Sequence, residues 1–226
     1  MKFDFIYFDE LPSTNDTAKQ KASSGAPEGT VVIARKQSAG RGRVGRSFYS
    51  PEGGIYMSVI LRPRFSRLTL ITPAAAAAVC KALESLGFDC RIKWVNDIYK
   101  ADKKVCGILT ESNLDKGWAV LGVGINTVCP GVNAPEIAGW LYDNEADNDK
   151  IIKLVLSEFS EIYEKLPDDG FIKYYREKSY LKGKKLLING AEYDYKGIDD
   201  DFGLLAEKDG KNYKFVCGEV SVKTVV

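Results

Sequence analysis

Two rhythms of apolar and polar residues run along this chain. Phe3 to Phe8 is a short apolar run broken by Asp4, fit for a first strand. Thr30 to Ala34 and Ile55 to Leu61 are β-branched and apolar, as buried strands are. Between the first two, Ser13-Thr14-Asn15-Asp16 offers several N-caps for a helix that passes Ala18 and Ala22 and stops at Gly25. Pro73 predicts the start of an alanine-rich helix that runs through Leu86 and ends at Gly87. Arg91 to Trp94, Lys104 to Glu111 and Trp118 to Ile125 read as further strands, the last two joined by a turn around Asp115-Lys116-Gly117. Ile152, Val155, Leu156, Phe159, Ile162, Tyr163 and Leu166 recur at helical spacing, so Asp149 to Leu166 is expected to be an amphipathic core helix. After Tyr180 the texture changes to short strands with turns at Asn189-Gly190, Asp199 to Gly203 and Asp209-Gly210. The pattern predicts an α+β chain, with a mixed sheet flanked by helices over residues 1–180 and a small β-barrel over 181–226. The barrel is too small to stand comfortably alone and should lean on the larger part.

Charge narrows the functions available. Lys plus Arg total 32 against 31 Asp plus Glu, a net charge of +1, so no global attraction to nucleic acid or an anionic membrane is expected. The chain has no histidine, which removes Ser-His-Asp, Cys-His and histidine-metal chemistry together. Five cysteines without a C-x-x-C pair read as reduced thiols, and no metal-ligand set is expected. The N-terminus lacks a secretory apolar core, and no run is expected to approach the ~18 apolar residues of a membrane span. These features together predict a cytoplasmic protein.

One stretch makes little sense as packing. Gly40-Arg41-Gly42-Arg43-Val44-Gly45-Arg46 holds three glycines and three arginines. Glycines at this density imply φ > 0 or a backbone pressed close to something, and arginines grip a phosphate or carboxylate with paired hydrogen bonds. The string matches G-x-G-x-x-G and nearly matches a Walker A loop, but both need a helix to follow. Ser47-Phe48-Tyr49-Ser50-Pro51-Glu52-Gly53-Gly54 follows instead and is turn-forming. An anion-binding loop at a strand end is the reading that survives, beside a nucleic-acid-binding Arg-Gly segment and a plain arginine-rich surface loop.

Four segments then form an ordered pattern: Ser13-Thr14-Asn15, Gln37 to Arg46, Lys93-Trp94-Val95-Asn96-Asp97-Ile98, and Lys104-Val105-Cys106-Gly107-Ile108-Leu109 with Glu111. With Gly122-Val123-Gly124-Ile125-Asn126, Gly197-Ile198-Asp199 and Gly218-Glu219-Val220-Ser221-Val222, the whole chain resembles biotin protein ligases. The resemblance implies a class II synthetase-like biotin/lipoate ligase catalytic domain with an SH3-like C-terminal β-barrel. The chain starts where the ligase domain starts, so the single-function form without the N-terminal DNA-binding domain is expected. The implied reaction joins biotin and ATP, with Mg²⁺, into biotinyl-5′-AMP and passes the biotinyl group to a lysine. The implied partner is the biotin carboxyl carrier domain of a biotin-dependent carboxylase such as acetyl-CoA carboxylase. A homodimer is left open.

By the same resemblance, Ser13, Thr14, Asn15, Gln37, Arg41, Gly42, Arg43, Lys104 and Gly107 would bind biotin, with Ser13, Thr14 and Gln37 on its ureido ring. Arg41, Arg43, Arg46, Phe48, Trp94, Asn96 and Asn126 would bind ATP and the adenylate, Arg46 facing the phosphates and Gly42 offering its backbone N–H. Arg43, Lys104 and Asp97 would be catalytic, with Lys104 stabilising the charge that develops and Asp97 acting on Mg²⁺ or on the acceptor lysine. Plainer roles stand beside these: helix capping for Ser13 and Thr14, an Asx turn for Asn96 and Asp97, core packing for Trp94 and Phe48, and an exposed strand-end lysine for Lys104. The chain departs from the family pattern at Val95, where proline is usual, at Phe48, where tryptophan is common, and over Thr127 to Trp140. The rival readings are a lipoate or octanoate ligase and a biotin-binding module without catalysis.

Overall fold

The computed structural model describes residues 1–131, 134–216 and 222–224. A seven-stranded mixed sheet forms its centre, built from β1 (Asp4–Leu11), β2 (Thr30–Gln37), β3 (Ile55–Leu61), β4 (Cys90–Lys93), β5 (Asp97–Lys100), β6 (Lys103–Asn113) and β7 (Trp118–Ile125). Their spatial order is β1-β2-β3-β7-β6-β5-β4, with β1 parallel to β2 and every other neighbour antiparallel. Alternation along the strands sends side chains to two cores. On one face, α1 (Thr14–Ser23) sets Ala18 and Ala22 against Val32, Ile60, Trp118 and Val120. On the other face, α2 (Ile71–Ser85) and α3 (Asn148–Tyr163) cover Val31, Val59, Leu121 and Val123. The alanine run of α2 is fully buried, which lets the helix lie close to the strands.

Several expectations need correcting. The alanine-rich helix begins at Ile71, two residues before Pro73, because the first turn tolerates a proline without its N–H. The segment Leu68–Ser85 is long and apolar enough to cross a membrane, against the expectation that no run would be, yet 67% of it is buried inside the fold, where it serves as the core helix. Strand β5 and the short helix α4 (Ile172–Glu177) are additions to the expected elements.

Beyond α4, β8 (Lys185–Ile188), β9 (Ala191–Ile198), β10 (Leu204–Lys208), β11 (Lys211–Phe215) and β12 (Val222–Thr224) form a second, antiparallel sheet in the order β11-β10-β9-β8-β12. Two of its hairpins turn at Asn189-Gly190 and Asp209-Gly210, where all four residues have φ between 50° and 80° as a tight two-residue turn demands. Among the described residues β11 and β12 do not pair, so the sheet is open and the expected barrel closure is not among its pairings. One apolar cluster runs through both sheets. Phe202 stacks on Phe171 with ring centroids 5.1 Å apart and meets Tyr175 edge-on at 5.3 Å. The Trp94 indole donates to the Phe202 carbonyl at 2.8 Å, and the Arg176 Nε to the Ile198 carbonyl at 2.7 Å.

Candidate active site

The chain leaves β1 at Leu11 and turns into α1, whose first residues face the middle of the sheet. The Ser13 hydroxyl caps the helix by accepting from the Asp16 amide at 3.4 Å. Capping alone does not account for this segment, because Ser13, Thr14 and Asn15 are just 2%, 4% and 4% exposed. Their polar atoms line a narrow slot of about 60 Å³. Gln37 closes one side, where its Oε1 accepts from the Thr14 amide at 2.8 Å and its Nε2 donates to the Ser50 hydroxyl at 2.8 Å. Behind this wall the fully buried Ser58 hydroxyl lies 2.8 Å from Thr14 Oγ1 and 2.7 Å from Asn15 Oδ1. Sequence reasoning misses Ser58, for which a lone serine within the apolar run Ile55 to Leu61 is the available signal. The Asn15 side chain approaches so near Gly122 that a Cβ there would collide with its Oδ1.

The loop after β2 roofs the slot as a miniature hairpin. The Gly42 amide donates to the Arg46 carbonyl at 2.7 Å, the Phe48 amide to the Gly40 carbonyl at 2.8 Å, and Arg41 bridges Ser47. No helix follows, as the turn-forming sequence required. The positive φ values fall at Val44 and Gly45, 53° and 70°, at the tip of the hairpin. Gly40 is needed for space, since a Cβ there would run into the Phe48 carbonyl and the Ser50 hydroxyl. The Gly42 N–H expected to meet a ligand is therefore committed inside the loop.

Phe48 divides the slot from a wider outer cavity of about 230 Å³. Its ring rests on Gly107 and Gly124, which face each other across β6 and β7. Gly42, Arg43, Phe48, Asn96 and Lys104 line both spaces, while Arg41 and Gly107 line the slot alone. Arg46, Asp97 and Lys93 line the outer cavity. Trp94 borders that cavity too, but it is 5% exposed with its indole N–H satisfied, so it is chiefly a core residue. Asn126 lines neither space. Its side chain donates to the Lys104 carbonyl at 3.2 Å and so braces that strand from behind. In the weakly matched region after Thr127, the Lys104 amide donates to the Ile137 carbonyl at 2.8 Å and the Gly139 amide donates to the Lys104 carbonyl at 2.8 Å, which fixes the lysine's backbone. Of the late motifs, Asp199 folds its own turn by accepting from the Asp201 and Gly203 amides at 2.9 and 2.8 Å. Apart from Val222, Gly218-Glu219-Val220-Ser221-Val222 lies outside the described residues.

The cations around these two spaces are engaged by the protein itself. Lys104 Nζ is 2.7 Å from Asp97 Oδ1, an ion contact made off the hydrogen-bonding direction. Arg43 donates to Asn96 Oδ1 at 2.9 Å, and Asn96 is itself held by the Ile108 carbonyl at 2.9 Å. Arg41 reaches Asp16 at 2.7 Å and Glu111 at 3.6 Å, and Lys19 reaches both acids at 2.8 Å. Burial works to raise the Asp16 and Glu111 carboxyls, but the hydrogen bonds and charges of Lys19 and Arg41, with Asn15 helping at Glu111, outweigh it and hold both below the usual carboxylate range. Lys93 leans on the Tyr99 ring with its ammonium 5.0 Å from the centroid. Burial lowers Lys93 below the usual lysine range, with Lys104 and Lys184 adding to the effect and Asp97 opposing it.

A sequence model of the biotin/lipoate A/B protein ligase family matches residues 7–126. The bifunctional ligase/repressor BirA of Bacillus subtilis is 38% identical over 89% of this chain and 69% of its own length. The biotin--[acetyl-CoA-carboxylase] ligase of Paracoccus denitrificans is 31% identical over 85% of this chain and 90% of its own. Among solved structures, the biotin protein ligase of Aquifex aeolicus in complex with biotin and ATP superposes with a TM-score of 0.88 at 28% identity, covering 98% of this chain and 99% of that one.

Proposed function

Because the chain belongs to the biotin/lipoate A/B protein ligase family, we propose that it is a biotin protein ligase, which activates biotin with ATP and transfers it to a lysine of a carrier domain. The observation that carries this reading is the pair of joined cavities. A narrow slot lined with buried hydroxyls and amides opens past Phe48 into a wider space rich in Arg and Lys. The slot suits a small polar ring on an acyl chain, and the outer cavity suits a nucleotide with its phosphates.

Biotin's carboxylate is ionised at neutral pH, so its oxygen needs no general base to attack the α-phosphorus as the bond to pyrophosphate breaks. The task is to hold two anions together. Lys104 stands at the junction, 5.6 Å from the Phe48 ring centroid, where both negative groups would meet. Arg43 is more readily re-aimed than Arg41 or Lys104, since its present partner Asn96 is neutral, whereas those two must each leave a carboxylate. Arg46 and Lys93 add positive charge on the pyrophosphate side. In the second half-reaction the carrier lysine's amine attacks the acyl carbon and AMP departs with the bonding electrons. Asp97 borders that space and could take the proton once Lys104 has turned toward phosphate. Mg²⁺ is read as arriving on the triphosphate, with Asp97 the carboxylate that lines the outer cavity.

The carrier domain of a biotin-dependent carboxylase is the proposed partner. Buried free thiols at Cys80, Cys90 and Cys106 fit a reducing, cytoplasmic setting. The larger sheet with its helices, residues 1–180, is read as the catalytic domain and 181–226 as a small domain docked on it. The test is exchange of labelled pyrophosphate into ATP with biotin, lipoate or octanoate added separately. Biotin-dependent exchange is expected. Exchange with lipoate or octanoate alone would overturn the substrate, and exchange with none of them would overturn the chemistry.

A further inference from the structure

The polar groups of the inner slot form one chain of hydrogen bonds, and both ends of that chain can only accept. One end is the Glu111 carboxylate, fixed by Lys19 at 2.8 Å. The other is the Phe48 carbonyl, to which the Ser50 hydroxyl donates at 2.9 Å. Counting protons from the Glu111 end fixes the first two links, and the shorter of two contacts decides the third. Asn15 Nδ2 donates to Glu111 Oε2 at 2.9 Å, so Asn15 Oδ1 is turned toward Ser58. That oxygen only accepts, and the single Ser58 proton goes to it across 2.7 Å. The 2.8 Å contact between Ser58 and Thr14 then takes its hydrogen from Thr14. Gln37 Oε1 is served by the Thr14 amide at 2.8 Å, and its longer 3.1 Å contact with the Thr14 hydroxyl carries no proton. The Thr14 hydroxyl thus spends its proton inside the wall and is left as an acceptor on the lining of the slot.

We propose that Glu111 is a positioning residue: by holding the Asn15 amide it sets the direction of the protons along Ser58 and Thr14, so that Thr14 meets the ligand as an acceptor and favours a ring bearing N–H donors, as a cyclic urea does. The inference rests on the biotin reading above and names how that site reads its ring. Glu111 is close to the ring-binding residues without lining the slot. Its effect passes through Asn15, whose near approach to Gly122 leaves it little room to settle elsewhere.

Glu111→Gln tests this with little change of shape. The new amide oxygen would stay with Lys19 and its NH₂ would face Asn15, turning the Asn15 amide over. Asn15 would then donate to Ser58, Ser58 to Thr14 and Thr14 to Gln37, so one Thr14 lone pair would be lost to the ligand. In biotin-dependent pyrophosphate exchange the KM for biotin should rise about tenfold while kcat and the KM for ATP move less than about twofold. The preference for biotin over an analogue methylated on a ring nitrogen should fall by a similar factor of about ten. Ser58→Ala cuts the link between Glu111 and Thr14, so adding Glu111→Gln to it should have no further effect on the KM for biotin. An unchanged KM and preference in folded Glu111→Gln protein, a loss confined to kcat, or additive effects with Ser58→Ala would overturn the proposal. Should Glu111→Gln fail to fold, Ser58→Ala carries the test alone, and an unchanged preference there overturns it. If the wild-type chain shows no biotin-dependent exchange, the functional reading falls and this inference with it.

Discussion

Gly124→Ala should separate the position of Phe48 from every other feature of the site. Gly107 and Gly124 are direct partners across β6 and β7, and the Phe48 ring lies on the bare backbone they leave. A Cβ at Gly124 would sit 2.5 Å from Phe48 Cε1 and 2.8 Å from Cζ, and one at Gly107 would sit 2.9 Å from Cε2. Carbon atoms rest about 3.5–4.0 Å apart, so the ring must lift by roughly 1 Å in Gly124→Ala and by somewhat less in Gly107→Ala. Neither glycine has a positive φ, so alanine fits the strand and only the space above it changes. Phe48 belongs to a half-exposed loop that can yield, which keeps the overpacking cost near the low end of about 1–3 kcal/mol and the drop in Tm to about 2–4 °C. The site is less forgiving, because a displacement of ~1 Å at the junction of two reacting anions can cost on the order of 10²-fold. We expect kcat/KM for biotin-dependent pyrophosphate exchange to fall by about that factor in Gly124→Ala, whereas Gly107→Ala would also crowd Lys104, 3.1 Å from the added Cβ, and so does not isolate Phe48. Phe48→Ala removes the clash, so the double variant should be no worse than Phe48→Ala alone. Wild-type kcat/KM in Gly124→Ala, or effects that simply add in the double variant, would refute the reasoning.

Lys104→Ala should slow adenylate formation by about 10²–10³-fold, corresponding to roughly 3–4 kcal/mol of lost charge stabilisation, and a retained rate would remove Lys104 from the mechanism. That substitution leaves Asp97 with an unpaired carboxylate, so adding Asp97→Asn should recover thermal stability without recovering exchange, which a melt and an exchange assay on the same sample decide. Arg43→Ala should release biotinyl-adenylate faster in a quench-flow experiment, because the cation proposed to turn toward the mixed anhydride is gone; an unchanged release rate counts against the assignment. Asp16 and Glu111 are held below their ordinary values of 3.8 and 4.5, so the stability from their pairing is complete above those values and is lost as pH falls through the lower, folded-state ones. Glu111→Gln protein should therefore lose less stability than wild type between about pH 5 and pH 3 in urea titrations, and parallel curves would refute this.

Much of the fold is legible in the sequence because local residues demand it. Asn189-Gly190 and Asp209-Gly210 read as hairpin turns since few other pairs tolerate positive φ twice, and Ile55 to Leu61 matches its strand residue for residue. Strand β5 is hidden because Asn96 and Asp97 look like a turn, and its four residues are too few to show alternation. The Gly-Arg loop stands out because its composition is poor for packing. Ser58 does not stand out, and Gly122 and Gly124 are legible as a matched motif but not in what they make room for, since those roles arise across strands and need the register to be seen. Asn126 shows the opposite limit: a matched position gives a place in the chain, while the direction of the side chain depends on Lys104 offering its carbonyl.

The indole of Trp94 and the carbonyl of Phe202 join the two sheets at the turn that presents Asn96 and Asp97. On the same turn the Tyr175 hydroxyl donates to the Val95 carbonyl at 3.1 Å, and Tyr175 itself packs on Phe202. The smaller sheet therefore works as a jig for the reacting groups while, among the described residues, contributing none to the lining of the slot or the outer cavity. A change of side-chain size at Phe202 would be felt as misalignment at Asp97, so the seam offers a way to tune the chemistry from a buried contact outside both cavities.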